Sequence, residues 1–150
     1  VLERSAVPIA FEQIGGARAC LDMARDFAME RHAFGRPIAS FQAIKHKLVD
    51  IYVANELARS NCTYAAWALG ADAPDLSTAA AAARVSATEA FHLASKENIQ
   101  VHGGMGFTWA ADCHLYYRRA KLLSLMLGGA PWWKDRLVTR LELTNAEQGA

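Results

Sequence analysis

The sequence predicts an all-α protein, an antiparallel four-helix bundle followed by a short extra C-terminal helix. Three observations lead to this fold class. Apolar residues recur every three or four positions over long stretches, only four of the 150 residues are proline, and no segment alternates apolar and polar residues as a strand would. With 53% hydrophobic and 21% charged residues, the composition fits one globular domain, which we place over residues 1–150.

The first two predicted helices are long and joined by a short break. The first is predicted over about 8–31, because Gly35 and Pro37 then stop it, and the second over about 41–69, because Gly70 follows. The residues predicted to face the core are Phe11, Ile14, Leu21, Ala24 and Ala28 in the first helix, and Phe41, Ile44, Leu48, Ile51, Asn55, Ala58, Cys62, Ala65 and Leu69 in the second.

Three further helices complete the predicted bundle. The third is predicted over about 77–101, with Ser77 as its N-cap, and its many alanines indicate close packing between helices. The fourth is predicted over about 112–126. One side of it carries Leu115, Arg119, Leu122 and Met126. A short fifth helix, over about 132–143, follows the sequence GGAP.

Charge and cysteine content exclude several classes of function. The formal net charge is +1 and no basic stripe is present, so we expect no nucleic-acid binding. The longest uncharged apolar run, residues 122–133, is about half of the ~20 residues that span a bilayer, so we expect no membrane insertion. Cys20, Cys62 and Cys113 are far apart in sequence, which indicates buried free thiols and a cytoplasmic location.

The N-terminus predicts a fragment of a longer protein, and the histidines predict no metal site. The chain begins VLERSAVP, without an initiator methionine, so we expect a fragment of a longer protein. The five histidines show no HExxH-like spacing, and we predict no metal site. These histidines are His32, His46, His92, His102 and His114.

Two glycine-containing stretches interrupt the helical pattern. RHAFGRPIASFQ covers residues 31–42, and QVHGGMGFTW covers residues 100–109. Each is open to a structural interpretation, in which glycine and proline end one helix and turn into the next. Each is also open to a functional one, in which bare backbone lets a flat or phosphorylated group approach closely. Neither is a P-loop or a dinucleotide-binding fingerprint, because the required lysine and preceding strand are absent.

Taken together and in this order, the two stretches resemble the C-terminal helical domain of the acyl-CoA dehydrogenase family. The resemblance covers about residues 12–129. Its pattern is R-x-x-F-G-x-x-[IL]-x-x-x-Q, followed about sixty residues later by Q-x-x-G-G-x-G-F. The resemblance implies a longer enzyme with an N-terminal helical domain, a middle β-domain and this four-helix bundle. Such enzymes bind FAD and remove hydrogens from the α and β carbons of an acyl-CoA thioester.

The resemblance also implies which residues contact the cofactor. The arginine of the first stretch would meet the FAD pyrophosphate of a neighbouring subunit, because a guanidinium suits phosphate oxygens. The glycines of the second stretch would let the cofactor lie close to the backbone. The expected FAD contacts are Arg31, Phe34, Ile38, Gln42, Gln100, Gly103 and Gly104. Expected partners are the acyl-CoA substrate, further copies of the chain or a paralogous subunit in a dimer of dimers, and an electron-accepting flavoprotein.

The catalytic base that the resemblance implies is missing from its usual position. Most of the family places a glutamate before a Gly-Thr pair after the fourth helix, but Leu127 stands here, followed by Gly-Gly. Other members place the glutamate on the first helix, at the position of Ser5, near Glu3 and Glu12. The base therefore remains unknown: it is one of these carboxylates or belongs to a partner subunit. We also expect Arg84, outside both stretches, to have no part in the site.

Overall fold

The computed structural model describes residues 1–148 and consists of five α-helices with short connections. The helices are α1 (Leu2–Glu30), α2 (Gln42–Gly70), α3 (Leu76–His102), α4 (Cys113–Leu125) and α5 (Ala130–Gln148). A hairpin of two-residue strands, β1 (His32–Ala33) and β2 (Arg36–Pro37), leads into α2 through a 3₁₀ turn at Ile38–Ser40, and a second 3₁₀ turn follows α3 at Gly103–Phe107. The all-α prediction is confirmed.

Side-chain contacts fix the relative direction of α1 and α3. Glu3 meets Ser77 near the start of both helices, and the Gln13 amide donates to the Thr88 hydroxyl near their middle, at 3.1 Å. The two helices are therefore parallel neighbours. Their contact is close because alanines form much of it, and Gly16 leaves room for the buried ring of Phe91.

The helices α2 and α4 run against this pair. Lys47, near the start of α2, pairs with Glu97 near the end of α3 at 2.5 Å. Later in α2, the Asn61 amide donates to the Ser86 hydroxyl at 3.1 Å. The carbonyl of Leu123, near the end of α4, accepts from Arg84 in the first half of α3, so α4 also runs against α3. The helices thus alternate in direction, as an antiparallel bundle requires.

The helix α5 is longer than the sequence predicts. It has 19 residues against 13 in α4, so the expectation of a short extra helix is wrong in its length. Its largest anchor is the buried Trp133, which packs against the alanine-rich core of α1, α2 and α3. Most of its other side chains face solvent, which explains why an apolar pattern does not reveal the full length of the helix.

Two helix starts differ from the prediction. α1 begins at Leu2 and continues through Pro8, because the neighbouring Ala6, Val7 and Ala10 are buried and their packing outweighs the missing N–H. α3 begins at Leu76 with Asp75 before it, so the predicted N-cap Ser77 lies inside the helix.

The predicted core face is correct for much of α2. Ile51 and the four core-facing residues that follow it are buried, whereas Phe41, Ile44, Leu48 and Leu69 near the ends of α2 are half-buried. On α1, Phe11 is an error in the predicted face, since its ring is 40% exposed. α4 packs through Cys113, Ala120 and Leu123, so the side that carries Leu115, Arg119, Leu122 and Met126 is not the one that faces the core.

The three cysteines are buried free thiols, as predicted. Burial raises the pKa of the Cys20 and Cys62 thiols to about 12, which leaves them protonated and unreactive at neutral pH. Every helix of the described part of the chain is too short or too polar to cross a membrane. Within residues 1–148, no three His, Cys, Asp or Glu side chains are grouped closely enough to hold a metal ion.

Candidate functional site

The two glycine-containing stretches meet at one end of the bundle. The ring of Phe27, near the end of α1, stacks on His102 at the end of α3, with ring centroids 4.2 Å apart. Below this stack, Ala24, Ala28 and Val101 form a buried cluster. We call this region the hairpin end, and define it as residues 31–42 together with residues 100–106. The structure therefore brings the predicted contacts of both stretches to the same end of the fold.

The first stretch forms a β-hairpin with a two-residue turn, which the sequence did not predict. Ala33 pairs with Arg36, and Phe34 and Gly35 make the turn with φ angles of 54° and 76°. Positive φ at both positions is what a type I′ turn requires. Glycine adopts this conformation freely, but for a bulky residue such as phenylalanine it is strained. Phe34 is nevertheless held there with its side chain 95% exposed.

The residues around the turn divide into exposed and supporting ones. Arg31 is exposed, and its carbonyl accepts a hydrogen bond from the Ile38 N–H at 2.8 Å, which closes the base of the hairpin. Ile38 packs against the buried cluster of the hairpin end, so it supports the hairpin from below. Gln42 is the first residue of α2 and is exposed. Among the described residues, no carboxylate pairs with the Arg31 guanidinium.

The glycines of the second stretch have different surroundings. Gly103 ends α3 with φ 59°, a conformation that favours glycine. A Cβ at Gly103 or Gly104 would meet no other atom within 4 Å, so the backbone there is open. At Gly106 a Cβ would lie 2.6 Å from the carbonyl oxygen of Ile99, so this glycine is required by the fold itself. Only the first two are free to face a ligand.

Gln100 lines a surface cleft of about 350 Å³ between the end of α3 and the start of α4. Lys96 and Arg118 also line it and give it positive charge, while Phe107 and Tyr117 supply aromatic surface. Sequence reasoning missed these four neighbours of Gln100. Lys96 could have been found, since it precedes Gln100 by four residues and therefore shares its face of α3.

The segment between α4 and α5, residues 126–129, contains the family's usual base position. We call it the α4–α5 break. Leu127 has a positive φ of 57°, and its half-buried side chain packs against the core that includes Trp133. No carboxylate replaces it in this segment.

Arg84, which we expected to have no part in the site, is a buried residue that binds the α4–α5 break. Its side chain is 1% exposed, and its guanidinium donates to the carbonyls of Leu123 and Met126, both at 2.9 Å. It also donates to the Gln13 amide oxygen at 2.5 Å and to the Thr88 hydroxyl at 3.0 Å. Burial lowers the pKa of Arg84, but arginine remains charged at neutral pH. Arg84 thus complements the negative C-terminal end of α4.

The two candidate base carboxylates on α1, Glu3 and Glu12, are engaged in ion pairs. Glu3 accepts a hydrogen bond from Arg136 and another from the Ser77 hydroxyl. A backbone hydrogen bond, followed by the Arg136 guanidinium, holds the pKa of Glu3 below its usual range. Glu12 pairs with Arg119 at 2.5 Å. Neither carboxylate is free to take a proton from a substrate without first losing an arginine.

Comparison with known proteins identifies the family. The family model for the acyl-CoA dehydrogenase C-terminal domain matches residues 1–130. The chain belongs to the acyl-CoA dehydrogenase family. FAD is the cofactor of the acyl-CoA dehydrogenases, as the sequence predicted.

Relatives and solved structures agree with this assignment. The acyl-CoA dehydrogenase IpdE2 of Mycobacterium tuberculosis is 45% identical over 120 residues, which cover 80% of this chain and 36% of that protein. A variant of the Tcur3481-Tcur3483 steroid ACAD matches with a TM-score of 0.92 and 31% identity, over 97% of this chain and 40% of that one. The ChsE4-ChsE5 complex of Mycobacterium tuberculosis matches with a TM-score of 0.86 and 32% identity, over 92% of this chain and 37% of that one.

Proposed function

We propose that this chain is the C-terminal domain of an FAD-dependent acyl-CoA dehydrogenase and supplies FAD contacts and an oligomer surface. In the complete protein the reaction is the α,β-dehydrogenation of an acyl-CoA thioester. The observation that carries the proposal is the exposed and strained Phe34 at the hairpin tip. Strain of this kind, in a residue with little packing of its own, is typical of a binding site.

The residues of the hairpin end fit the chemistry of FAD. Arg31 offers an exposed guanidinium with no carboxylate partner among the described residues, which suits a pyrophosphate. Gly103 and Gly104 offer open backbone that a flat group can approach. The Gln100 cleft adds the positive charge of Lys96 and Arg118. When bound, FAD would accept the hydride that leaves the substrate, and the role of these residues is to hold and orient it.

The exposure of Phe34 supports a contact that crosses a subunit boundary. A phenylalanine that is 95% exposed buries almost nothing within its own domain. Its neighbour is then expected to come from another domain or chain, as the family resemblance implies. Exposed apolar side chains on the helices are consistent with further chain contacts, for example Leu57, Trp67, Leu122 and Leu125. The same proposal includes acyl-CoA as the substrate, an electron-accepting flavoprotein as a partner and a cytoplasmic location.

The affinity of the complete protein for FAD tests this proposal. Arg31→Ala should weaken FAD retention by about tenfold or more, because a charge-assisted hydrogen bond to phosphate is lost. Arg25→Ala is a matched control: Arg25 is exposed on α1, which ends just before Arg31, and among the described residues it pairs with Asp22 and Asp26. The measurement is the FAD dissociation constant of each variant, followed by flavin fluorescence. Equal dissociation constants for the two variants would contradict the assignment.

A second candidate function is a subunit without a catalytic base that completes the FAD site of a paralogous partner. Leu127 at the usual base position favours it, since leucine cannot take a proton. The engagement of Glu3 with Arg136 favours it further. The structural relative described as the ChsE4-ChsE5 complex contains two different named chains, which makes a paired arrangement a reasonable model for this chain.

Under either proposal, the 150-residue piece alone should be inactive. The residues of the hairpin end form an open surface and do not enclose a cofactor. The test is the turnover of an acyl-CoA substrate by the purified piece with added FAD, compared with that of the complete protein.

A further inference from the structure

The hairpin tip and the arginine beside it both rest on the ring of Phe41. The rings of Phe34 and Phe41 have centroids 6.2 Å apart and cross at 78°, which is an edge-to-face arrangement. The guanidinium carbon of Arg36 lies 4.1 Å from the centroid of the same ring, within range of a cation–π interaction. Phe41 therefore contacts both the turn and the second strand of the hairpin.

Three backbone hydrogen bonds hold Phe41 in place. Its N–H donates to the Ile38 carbonyl, and its own carbonyl accepts from Ile44 and Lys45, each at 3.1 Å. Phe41 is the residue directly before α2, so these bonds tie it to the first turn of a 29-residue helix. The half-buried ring of Phe41 is thus a rigid support under an exposed tip.

Phe34 needs such a support because little else restrains it. Its side chain is 95% exposed, and an exposed side chain loses rotamer freedom when it enters an interface. A contact that already limits those rotamers in the free protein reduces the entropy lost on binding. The ring of Phe41 is the aromatic partner that Phe34 has among the described residues.

We infer that Phe41 is a positioning residue, which orients Phe34 and Arg36 for contact with a dinucleotide cofactor held by a neighbouring subunit. This inference rests on the proposed function, since it assumes that Phe34 touches FAD. Phe41 itself does not need to touch the cofactor. Its effect passes through the two side chains that lie on its ring.

A double-mutant cycle on the complete protein tests the inference. The measured quantity is the FAD dissociation constant of wild type, Phe34→Ala, Phe41→Leu and the double variant. Phe41→Leu keeps an apolar side chain but removes the aromatic ring, and should weaken FAD binding about threefold to tenfold. The double variant should bind FAD more tightly than the sum of the two single effects predicts, because the part of the Phe41 effect that passes through Phe34 is already lost in Phe34→Ala. Phe41→Tyr keeps the ring and should restore most of the affinity.

The matched control is Phe11→Leu, because Phe11 is a 40% exposed phenylalanine on the surface of α1 outside the hairpin end. It should leave the FAD dissociation constant unchanged. Additive effects of Phe34→Ala and Phe41→Leu would overturn the inference while leaving the proposed function intact. The inference would also be overturned if Phe41→Leu lost FAD affinity together with a lower melting temperature and Phe41→Tyr did not recover that affinity. No effect of Phe34→Ala would instead contradict the proposed FAD contact, and the inference with it.

Discussion

The hairpin end and the α4–α5 break both leave regular helix, but they use their irregular residues in opposite ways. At the hairpin end, Phe34 has a positive φ and is 95% exposed, and the space around Gly104 is open. At the α4–α5 break, Leu127 also has a positive φ, but its side chain packs against the core. The guanidinium of Arg84 donates hydrogen bonds to the carbonyls at the end of α4.

This difference separates two kinds of strained backbone. At the α4–α5 break, contacts within the chain compensate for the strain, so the segment is stable without a ligand. At the hairpin end, the ring of Phe41 is the aromatic partner of the Phe34 side chain among the described residues, and the exposed groups remain available to a partner. Substitutions at the α4–α5 break should therefore change stability, whereas those at the hairpin end should change cofactor affinity.

The largest effect is expected for Arg84→Ala. This change leaves the buried acceptors of Gln13, Leu123 and Met126 without their donor, which should lower the free energy of unfolding by about 2–4 kcal/mol. Urea unfolding of the chain measures it. Arg25→Ala, on the surface of α1, should change the same quantity by less than about 0.5 kcal/mol. Similar values for the two variants would show that the carbonyls at the α4–α5 break do not depend on Arg84.

A pair of glycine substitutions separates fold from function within the second stretch. Gly104→Val should weaken FAD binding in the complete protein about tenfold, because its side chain fills open space that the cofactor needs, while stability changes little. Gly106→Ala should instead lower the free energy of unfolding by about 1–3 kcal/mol, because its Cβ would press on the Ile99 carbonyl. Flavin fluorescence and urea unfolding measure the two effects. A large loss of stability in Gly104→Val would remove the distinction.

The sequence predicts the helices of this bundle well where apolar residues repeat and poorly where they do not. The buried stripe of α2 through Ala58 and Cys62 follows directly from its spacing. α5 was predicted too short because most of its surface is polar or exposed, and one residue, Trp133, provides its largest anchor. The hairpin was missed because strands of two residues are too short to show alternation, and Phe34–Gly35 is not a common type I′ pair.

The family resemblance predicts each residue of the candidate site. It does not predict the contacts that Arg84 and Phe41 make with the irregular segments. The structure brings Arg31 and Gly103 to the same end of the bundle, which the sequence analysis did not predict. Arg84 contacts a segment that is distant in sequence, and Phe41 contacts the tip of a short hairpin. No spacing rule connects Arg84 to Met126, which is 42 residues away, so only the folded chain reveals that contact.

A smaller effect is expected for Leu127→Ala. Because leucine cannot act as a base, its removal should change turnover of the complete assembly by less than about tenfold, through altered packing alone. Loss of a true general base would cost about a hundredfold or more. Steady-state turnover with FAD saturating is the measurement. A hundredfold loss with flavin still bound would require that Leu127 shapes the reaction site directly.

The smallest effect on turnover is expected for Glu3→Gln, which keeps the size of the side chain and removes its charge. The carboxylate of Glu3 pairs with Arg136, and its pKa is held below the usual 4.5, so it is a weak base that would have to leave its partner to react. Turnover should therefore stay within about twofold, and stability at neutral pH should fall by about 1 kcal/mol.

The pH dependence of stability separates an ion pair from a catalytic base. Because the folded-state pKa of Glu3 is lowered, its stabilisation is present above pH 4.5 and is lost as the pH falls through that lowered value. The difference in unfolding free energy between wild type and Glu3→Gln should accordingly shrink as the pH falls below about 4.5. A hundredfold loss of turnover with FAD retained would instead make Glu3 the base. That result would replace the proposal of a subunit whose base lies in its partner.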